Sequence, residues 1–580
     1  YDPHFLGPKG VHRHMGDATF IIAMAVITAV VLGVTVYAAL NGSADEMQYQ
    51  EDSFGRRCGV DSAVRSLEQL YYPDTKNMDV FQCVDKCPHL GQWMCLVERA
   101  NSSVAPGCTG TYFTHAYGNT SSTFGVCLPD DEKTYKEAFE ALKPRADSLS
   151  FVFAQMASDV GNARVSIFVS WVACCVLSFI FLGVLETKVT TFLLASAGLS
   201  VCASVLVAIA VVLLDVVGVG GLEKLDTRLT SVKLAKLIVT VLCLGFGANG
   251  LAKASRLVAQ SHSLRLAAHV IREGVNSMRV LEQVHFLSYV LLPSAFVVIA
   301  VCYSGLVGCG ALSWDSSSAA GTFGWVAAAA LTLFLGFWLL GFFVGCSKVV
   351  AAGAIAEWYW TREPRDAHVG PKTLVAAALR VVRYHVGAVA YGSFLLVFYT
   401  PYQYFALKAL PPLDPGRTTQ ASLYCSAGAY AQVALHGLSF ESAGLRNAQL
   451  LQRNAWVVGP CTNVVGTLLS LGESAVAYGC ALLCALVLPL SSLGLGVKVV
   501  FPIAPVLASY VICKGTAALF FLAHSQAAHT ILQCFCEDAE RNNGTAMRPY
   551  YMTDTLRDFI IAARDGQELP DDDWFGLGFG

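Results

Sequence analysis

Charge is what this sequence has least of. Asp, Glu, Lys and Arg make up 14% of its 580 residues, against roughly 25% in an ordinary soluble domain. Hydrophobic residues make up 55%, and the mean hydropathy is +0.53. Several apolar runs exceed the ~20 residues a helix needs to cross a bilayer core. A soluble globular chain is therefore excluded. The signatures of chemistry are missing too. There is no Walker loop, H-E-x-x-H, G-x-S-x-G or dinucleotide fingerprint, so neither ATP-driven transport nor an enzyme has a visible engine. No C-x-x-C…C-x-x-C pattern occurs, and neither a metal nor a cofactor is expected. With no acidic or basic tail and a net charge of −3, no nucleic-acid partner is expected; membrane lipid is.

What is there reads as an all-α polytopic membrane protein. Apolar spans fall at 18–40, 165–185, 189–214, 234–251, 286–312, 321–356, 384–407, 464–488 and 499–535. Basic residues precede the first span (Lys9, Arg13), separate the fourth from the fifth (Arg256, Arg265, Arg272, Arg279) and follow the sixth (Arg362, Arg365, Lys372, Arg380, Arg383). Positive loops face the cytosol. A cytosolic C-terminal segment then needs one more crossing after Arg383, and 422–440 is the candidate, giving about ten spans. The expected parts are a cytosolic segment 1–17, the first helix 18–40, an extracellular domain 41–164, a bundle 165–536 of about nine helices and a cytosolic tail 537–580. Residues 256–279 form a basic amphipathic stretch expected along the inner membrane surface or as a solvated helix.

The extracellular domain holds six of the twenty cysteines: Cys58, Cys83, Cys87, Cys95, Cys108 and Cys127. An even set in an oxidising compartment reads as disulfides, with the pairing left open. Asn101 and Asn119 open glycosylation sequons. The other cysteines are read as small apolar packing residues. Residues 131–142 are expected to lead as a helix toward the second span.

Polar residues inside spans are functional suspects. If the aromatics of "EWYW" (357–360) form an inner interfacial belt, Lys348 lies ten residues, or about 15 Å, deeper, near the midplane. Glu473 sits near the middle of its span, as ion-pair partner of Lys348 or as counter-charge to a cationic substrate. His524 and His529 could relay protons. Tyr384, Tyr391, Phe394, Phe398, Tyr402 and Phe405 share one helical face, with Pro401 expected to kink or break that helix. Such a face is ordinary packing or a pocket for a quaternary ammonium, each ring adding roughly 0.5–2 kcal/mol.

Five blocks, in order, resemble the choline transporter-like family (solute carrier family 44). "DSFGRRCG" (52–59), "CVDKCP" (83–88) with "CLP" (127–129), "AAGAIAEWYWT" (351–361), "RVVRYHVGAVAYGSF" (380–394) and "CFCEDAERNNGTAMRPYYM" (534–552) are similar to its sequence blocks. The resemblance implies ten spans, both termini cytosolic, a glycosylated disulfide ectodomain and transport of choline or a related amine, with proton exchange. The sequence departs from the family at Lys348 (usually Gln), Glu473 (usually Lys), Ser525 and His529 (usually acidic) and Gly341 (usually polar). The expected site gathers Trp338, Phe342, Lys348, Tyr391, Phe394 and Glu473 around choline or ethanolamine in a plasma or organelle membrane. A non-transporting structural or adhesion subunit acting through its ectodomain is the alternative.

Overall fold

The computed structural model describes residues 11 and 13–41, most of 52–72 and 81–90, short strands up to 129, and 159–216, 261–315, 319–361, 370–409, 427–455, 461–495, 502–554 and 556–558. The expected span 234–251, the segment 131–142, Asn101 and Cys108 lie outside these. The helices are α1 (Ala18–Asn41), α2 (Arg164–Thr187), α3 (Val189–Val216), α4 (Ser261–Val280), α5 (Phe286–Asp315), α6 (Ala319–Tyr359), α7 (Pro371–Arg380), α8 (Val386–Ala409), α9 (Ala427–His436), α10 (Phe440–Arg453), α11 (Cys461–Leu495) and α12 (Ile503–Arg541). Seven of the described helices are long and apolar enough to cross a membrane, and α3 adds a shorter apolar stretch at Ala195–Val207.

The described residues of the lobe after α1 include strands and turns. Its described strands are β1 (Gln69–Tyr71), β2 (Gln82–Val84), β3 (Trp93–Leu96), β4 (Tyr112–His115), β5 (Thr120–Thr123) and β6 (Val126–Pro129). They form a four-stranded sheet in the order β2-β1-β6-β5 and a β3–β4 pair. Disulfides Cys58–Cys83 and Cys87–Cys127 staple it; Cys95 lies on β3. The first motif block is a turn: Asp52 accepts from the backbone and side chain of Arg56 at 2.9 and 2.8 Å, and Gly55 takes φ +73°, which favours glycine. Asn119 is exposed, and its Oδ1 accepts from the Leu90 amide.

Three local markers fix one edge of the membrane slab. The Glu186-Thr187-Lys188 turn between apolar α2 and α3 carries two charges in three residues. At the start of α1, Asp17 packs on Gly387, one residue into α8. His285 closes a 3-10 turn (Glu282–His285) just before α5. At this edge His285 and His524 both face Glu186. From His524, α12 continues seventeen residues to Arg541, about 26 Å at ~1.5 Å per residue. Long α6, at 41 residues, likewise spans about 61 Å, twice a ~30 Å apolar core. Their extensions build a helical layer beyond the slab with α4, α7, α9 and α10.

That layer corrects three expectations. Residues Glu357, Trp358, Tyr359 and Trp360 are all at least 94% buried, so they are not a lipid-facing belt. The Tyr359 hydroxyl donates to Asp538 at 3.1 Å, and Trp360 stacks near Tyr551. Helix α4 does not lie along the membrane: its residues 266–271 are buried, and Gly274 lets it approach the α12 backbone at Ala527–Ala528. Described residues of 422–440 form the ten-residue α9, about 15 Å long, too short to cross by itself. It follows α12 from Gln526, which donates to Ala427 O, to Glu537, which pairs with His436. Gly437, with φ +66°, then turns the chain into α10.

The last motif block ties this layer shut. Buried Asp538 accepts from the Tyr551 and Met552 amides at 2.9 and 2.8 Å and from Asn542. Glu537 accepts from His436 at 2.7 Å and Gln432 at 3.2 Å. Glu540 meets Arg453 and Asn454. Arg380 pairs with Glu357 at 3.1 Å. From the N-terminal side, Arg13 donates to His385 Nε2 at 2.5 Å and to Ala434 O at 2.9 Å. Burial, and Arg380 nearby, pull the Arg13 guanidinium down to about 10, still charged at neutral pH. The start of α8 and the end of α9 therefore stand on one face, together with both described chain ends.

Candidate functional site

Inside the slab, α1, α6 and α8 meet on aromatic side chains. Small residues make this possible: an added Cβ at Gly345 would stand 2.7 Å from Val389 and 3.1 Å from Tyr430, and one at Gly341 3.3 Å from Ser393. Such glycines let membrane helices approach closely. Trp338 is 1% exposed and donates its indole N–H to Ala390 O at 2.9 Å. Its ring lies 5.2 Å from Phe394 and 5.6 Å from Phe334. Phe20 of α1 joins Tyr391 at 4.3 Å and Phe394 at 5.5 Å. Tyr391 continues to Phe440, and Phe440 to Tyr430. Phe342 packs on the same cluster.

Tyr391, Phe394 and Phe398 thus share a face, with Phe398 reaching Phe334. Tyr384 leaves it, because a π-helical turn at Val381–His385 shifts the register, and packs beside Arg383. Helix α8 runs through Pro401 without breaking. The side chains of Tyr402 and Phe405 lie outside the described residues.

Lys348 stands between α5, α6 and α12. It lines a narrow crevice with Leu287, Ser288, Ala351, Ala523 and Gln526, level with the Glu186–His285–His524 contact. Its ammonium lies 5.3 Å from the Tyr430 ring centroid. The buried Gln526 Oε1 on the same crevice has no hydrogen-bond partner. The ruler for its depth, the 358–360 aromatics, is buried in protein rather than exposed as an interfacial belt.

Glu473 does not pair with Lys348. Its partner is Lys514, whose ammonium donates to Glu473 Oε2 at 2.8 Å, Ser474 Oγ at 3.1 Å and Ser470 O at 3.3 Å. Gly472 packs on Phe192, early in α3, so Glu473 sits near the inner end of its span and Lys514 reaches toward it from deeper on α12. The signal was visible in the sequence: Lys514 is the one charged residue inside the 499–535 apolar run. His524 faces Glu186, whereas His529 faces Gly466. Five residues on one helix separate them by about 140°, so the structure does not bring the two rings together.

Long apolar helices on a common axis, a charged face at one end and an aromatic cluster between spans define a multi-pass membrane protein of transporter type. The chain belongs to the choline transporter-like family. A family model described as plasma-membrane choline transporter matches residues 250–409 and 418–540. Choline transporter-like protein 2 of Dictyostelium discoideum is 25% identical over 95% of this chain and 96% of its own length. Human choline transporter-like protein 4 is 29% identical over 40% of this chain and 36% of its own. Choline transporter-like protein 5 of Macaca fascicularis is 30% identical over 39% and 34% respectively. The matches to these two cover about a third of the relatives' length.

Proposed function

We propose that this chain carries choline or a closely related organic cation across a membrane by alternating access, without covalent chemistry. The observation that supports it is the aromatic cluster of Trp338, Tyr391, Phe394, Phe20 and Phe334 between α1, α6 and α8, in a chain of this family. Aromatic rings attract a quaternary ammonium, at roughly 0.5–2 kcal/mol each. Lys348 over Tyr430 stands at the inner mouth of that cluster, and Glu473 with Lys514 forms a neutralised pair beside it.

The remaining architecture follows the same reading. Ten spans, an even number, fit the contact of Arg13 with both His385 and Ala434. Arg13, Arg279, Arg380, Arg446, Arg453 and Arg541 surround that face, which the positive-inside rule makes cytosolic. The strand-built lobe and its Asn119 are then extracellular, and α4, α9, α10 and the C-terminal segment close the inner side.

Uptake of labelled choline into proteoliposomes tests it. Saturable uptake is expected, reduced at least about tenfold by Tyr391→Leu or Phe394→Leu in protein that stays monodisperse. Lys348→Gln should tighten apparent choline affinity. A like charge at ~8 Å costs about 2 kcal/mol at an effective dielectric constant of about 20. Absence of saturable uptake of choline and ethanolamine at any imposed pH gradient would overturn the assignment.

A further inference from the structure

Where the slab ends, three spans converge on one carboxylate. Glu186 closes α2, His285 precedes α5, and His524 lies within α12. The Glu186 Oε1 atom is 3.4 Å from His285 Nε2 and 3.4 Å from His524 Nε2. All three donor atoms lie within 4.8 Å of one another, and the two imidazole centroids are 5.3 Å apart. His524 is only 3% exposed, and neither of its ring nitrogens has a hydrogen-bond partner. A buried imidazole left so is costly.

Both nitrogen–oxygen separations are long for a hydrogen bond, which is ~2.7–3.2 Å. They match the edge of a coordination tetrahedron instead. Metal–ligand bonds of ~2.0–2.1 Å place neighbouring donors about 3.4 Å apart. Two imidazoles and one carboxylate are a donor set for a borderline transition metal rather than for calcium or magnesium. The Glu186 and His285 side chains keep 31% and 29% of their surface exposed, so the site is open to a fourth ligand. Charges nearby offset: Arg279 donates to the Glu186 backbone carbonyl, and Glu282 stands beside His285.

We propose that Glu186, His285 and His524 bind a divalent transition-metal ion of the zinc class, cross-linking α2, α5 and α12 at the inner membrane edge. The sequence hides the site because its ligands come from three distant spans rather than one short motif. A second cluster, Cys174, Cys480 and Cys513, is the weaker candidate. Its thiols are fully buried, and thiolates there would bring uncompensated negative charge into the apolar slab.

The experiment uses untagged, metal-stripped full-length protein in detergent, titrated with Co²⁺ and then Zn²⁺. One Co²⁺ per chain should bind, with the intense visible absorption of a tetrahedral nitrogen–oxygen site and no thiolate charge-transfer band, and Zn²⁺ should displace it. His285→Ala and His524→Ala should each weaken binding at least ~100-fold, since even outer-shell losses cost ~10–100-fold. Zn²⁺ should raise the melting temperature of the parent protein but not of His524→Gln, whose metal-free melting reports its folding. Binding no greater than that of a triple Glu186→Gln, His285→Ala, His524→Ala variant overturns the proposal. So does affinity unchanged in His524→Ala, which would locate the ion on other histidines. A thiolate band lost in Cys174→Ser would place it on the cysteines and overturn it equally.

Discussion

Glu473 alone in an apolar span would be a charge in search of a counter-ion, and its strongest sequence partner was Lys348. With Lys514 at 2.8 Å the pair closes between adjacent helices, so removing either member strands the other. Lys514→Met and Glu473→Gln should each lower the melting temperature in micelles. The double variant should lose less than the sum, with coupling of about 1–3 kcal/mol. Strict additivity would mean that the contact does not hold in solution. Glu473→Lys should fare worst, because it places a second ammonium beside Lys514, and adding Lys348→Gln should not rescue it. Asp538 makes a separate test. Hydrogen bonds to a charged group contribute ~1.5–3 kcal/mol each, and Asp538 accepts them from Tyr359, Tyr551 and Met552. Asp538→Asn should loosen the C-terminal segment, and trypsin should cut at Arg557 faster; unchanged cleavage would show that the tail is held by other contacts.

Helix α6 is where periodicity informed least. Its apolar character continues unbroken from the slab into the layer beyond it, because buried protein and lipid select the same side chains. Nothing in "VVAAGAIAEWYW" distinguishes a helix leaving a membrane from one entering a second protein core. The glycines do discriminate, through what they touch. Gly345→Val should push α6 away from Val389 and Tyr430, costing about 1–3 kcal/mol, whereas Gly479→Ala, with nothing within 4 Å, should be silent. Equal effects at both positions would contradict the α6–α8–α9 packing. The aromatic stripe was legible as a face at Tyr391, Phe394 and Phe398. It failed at Tyr384, because a π-turn is a register change that no 3.6-residue template contains.

Across the molecule, the distribution of arginines told most. Parity of crossings demanded a return after Arg383, and Arg13 contacts both His385 and Ala434, which puts those two residues side by side. What the sequence could not show was depth, since depth depends on which helices outrun the bilayer. A labelling experiment checks the arrangement. Cysteines placed at His14 and at Met547, which is 94% exposed, should react with an impermeant maleimide only after cells are permeabilised. One at Leu90, 68% exposed, should react on intact cells. Labelling of His14→Cys and Met547→Cys from opposite sides would break the shared face.

Helix α12 has a consequence for how the protein is made. It leaves the ribosome after every other long described helix, yet it packs against α2, α4, α5, α6, α9, α10 and α11. Until it arrives, Glu186, His285, Gln432, His436 and Asn447 face an empty groove, and the inner layer has no spine. The bundle must therefore wait, half built, for its own C-terminus, and a nascent chain stopped before Gln526 is a natural substrate for membrane quality control rather than a smaller working protein.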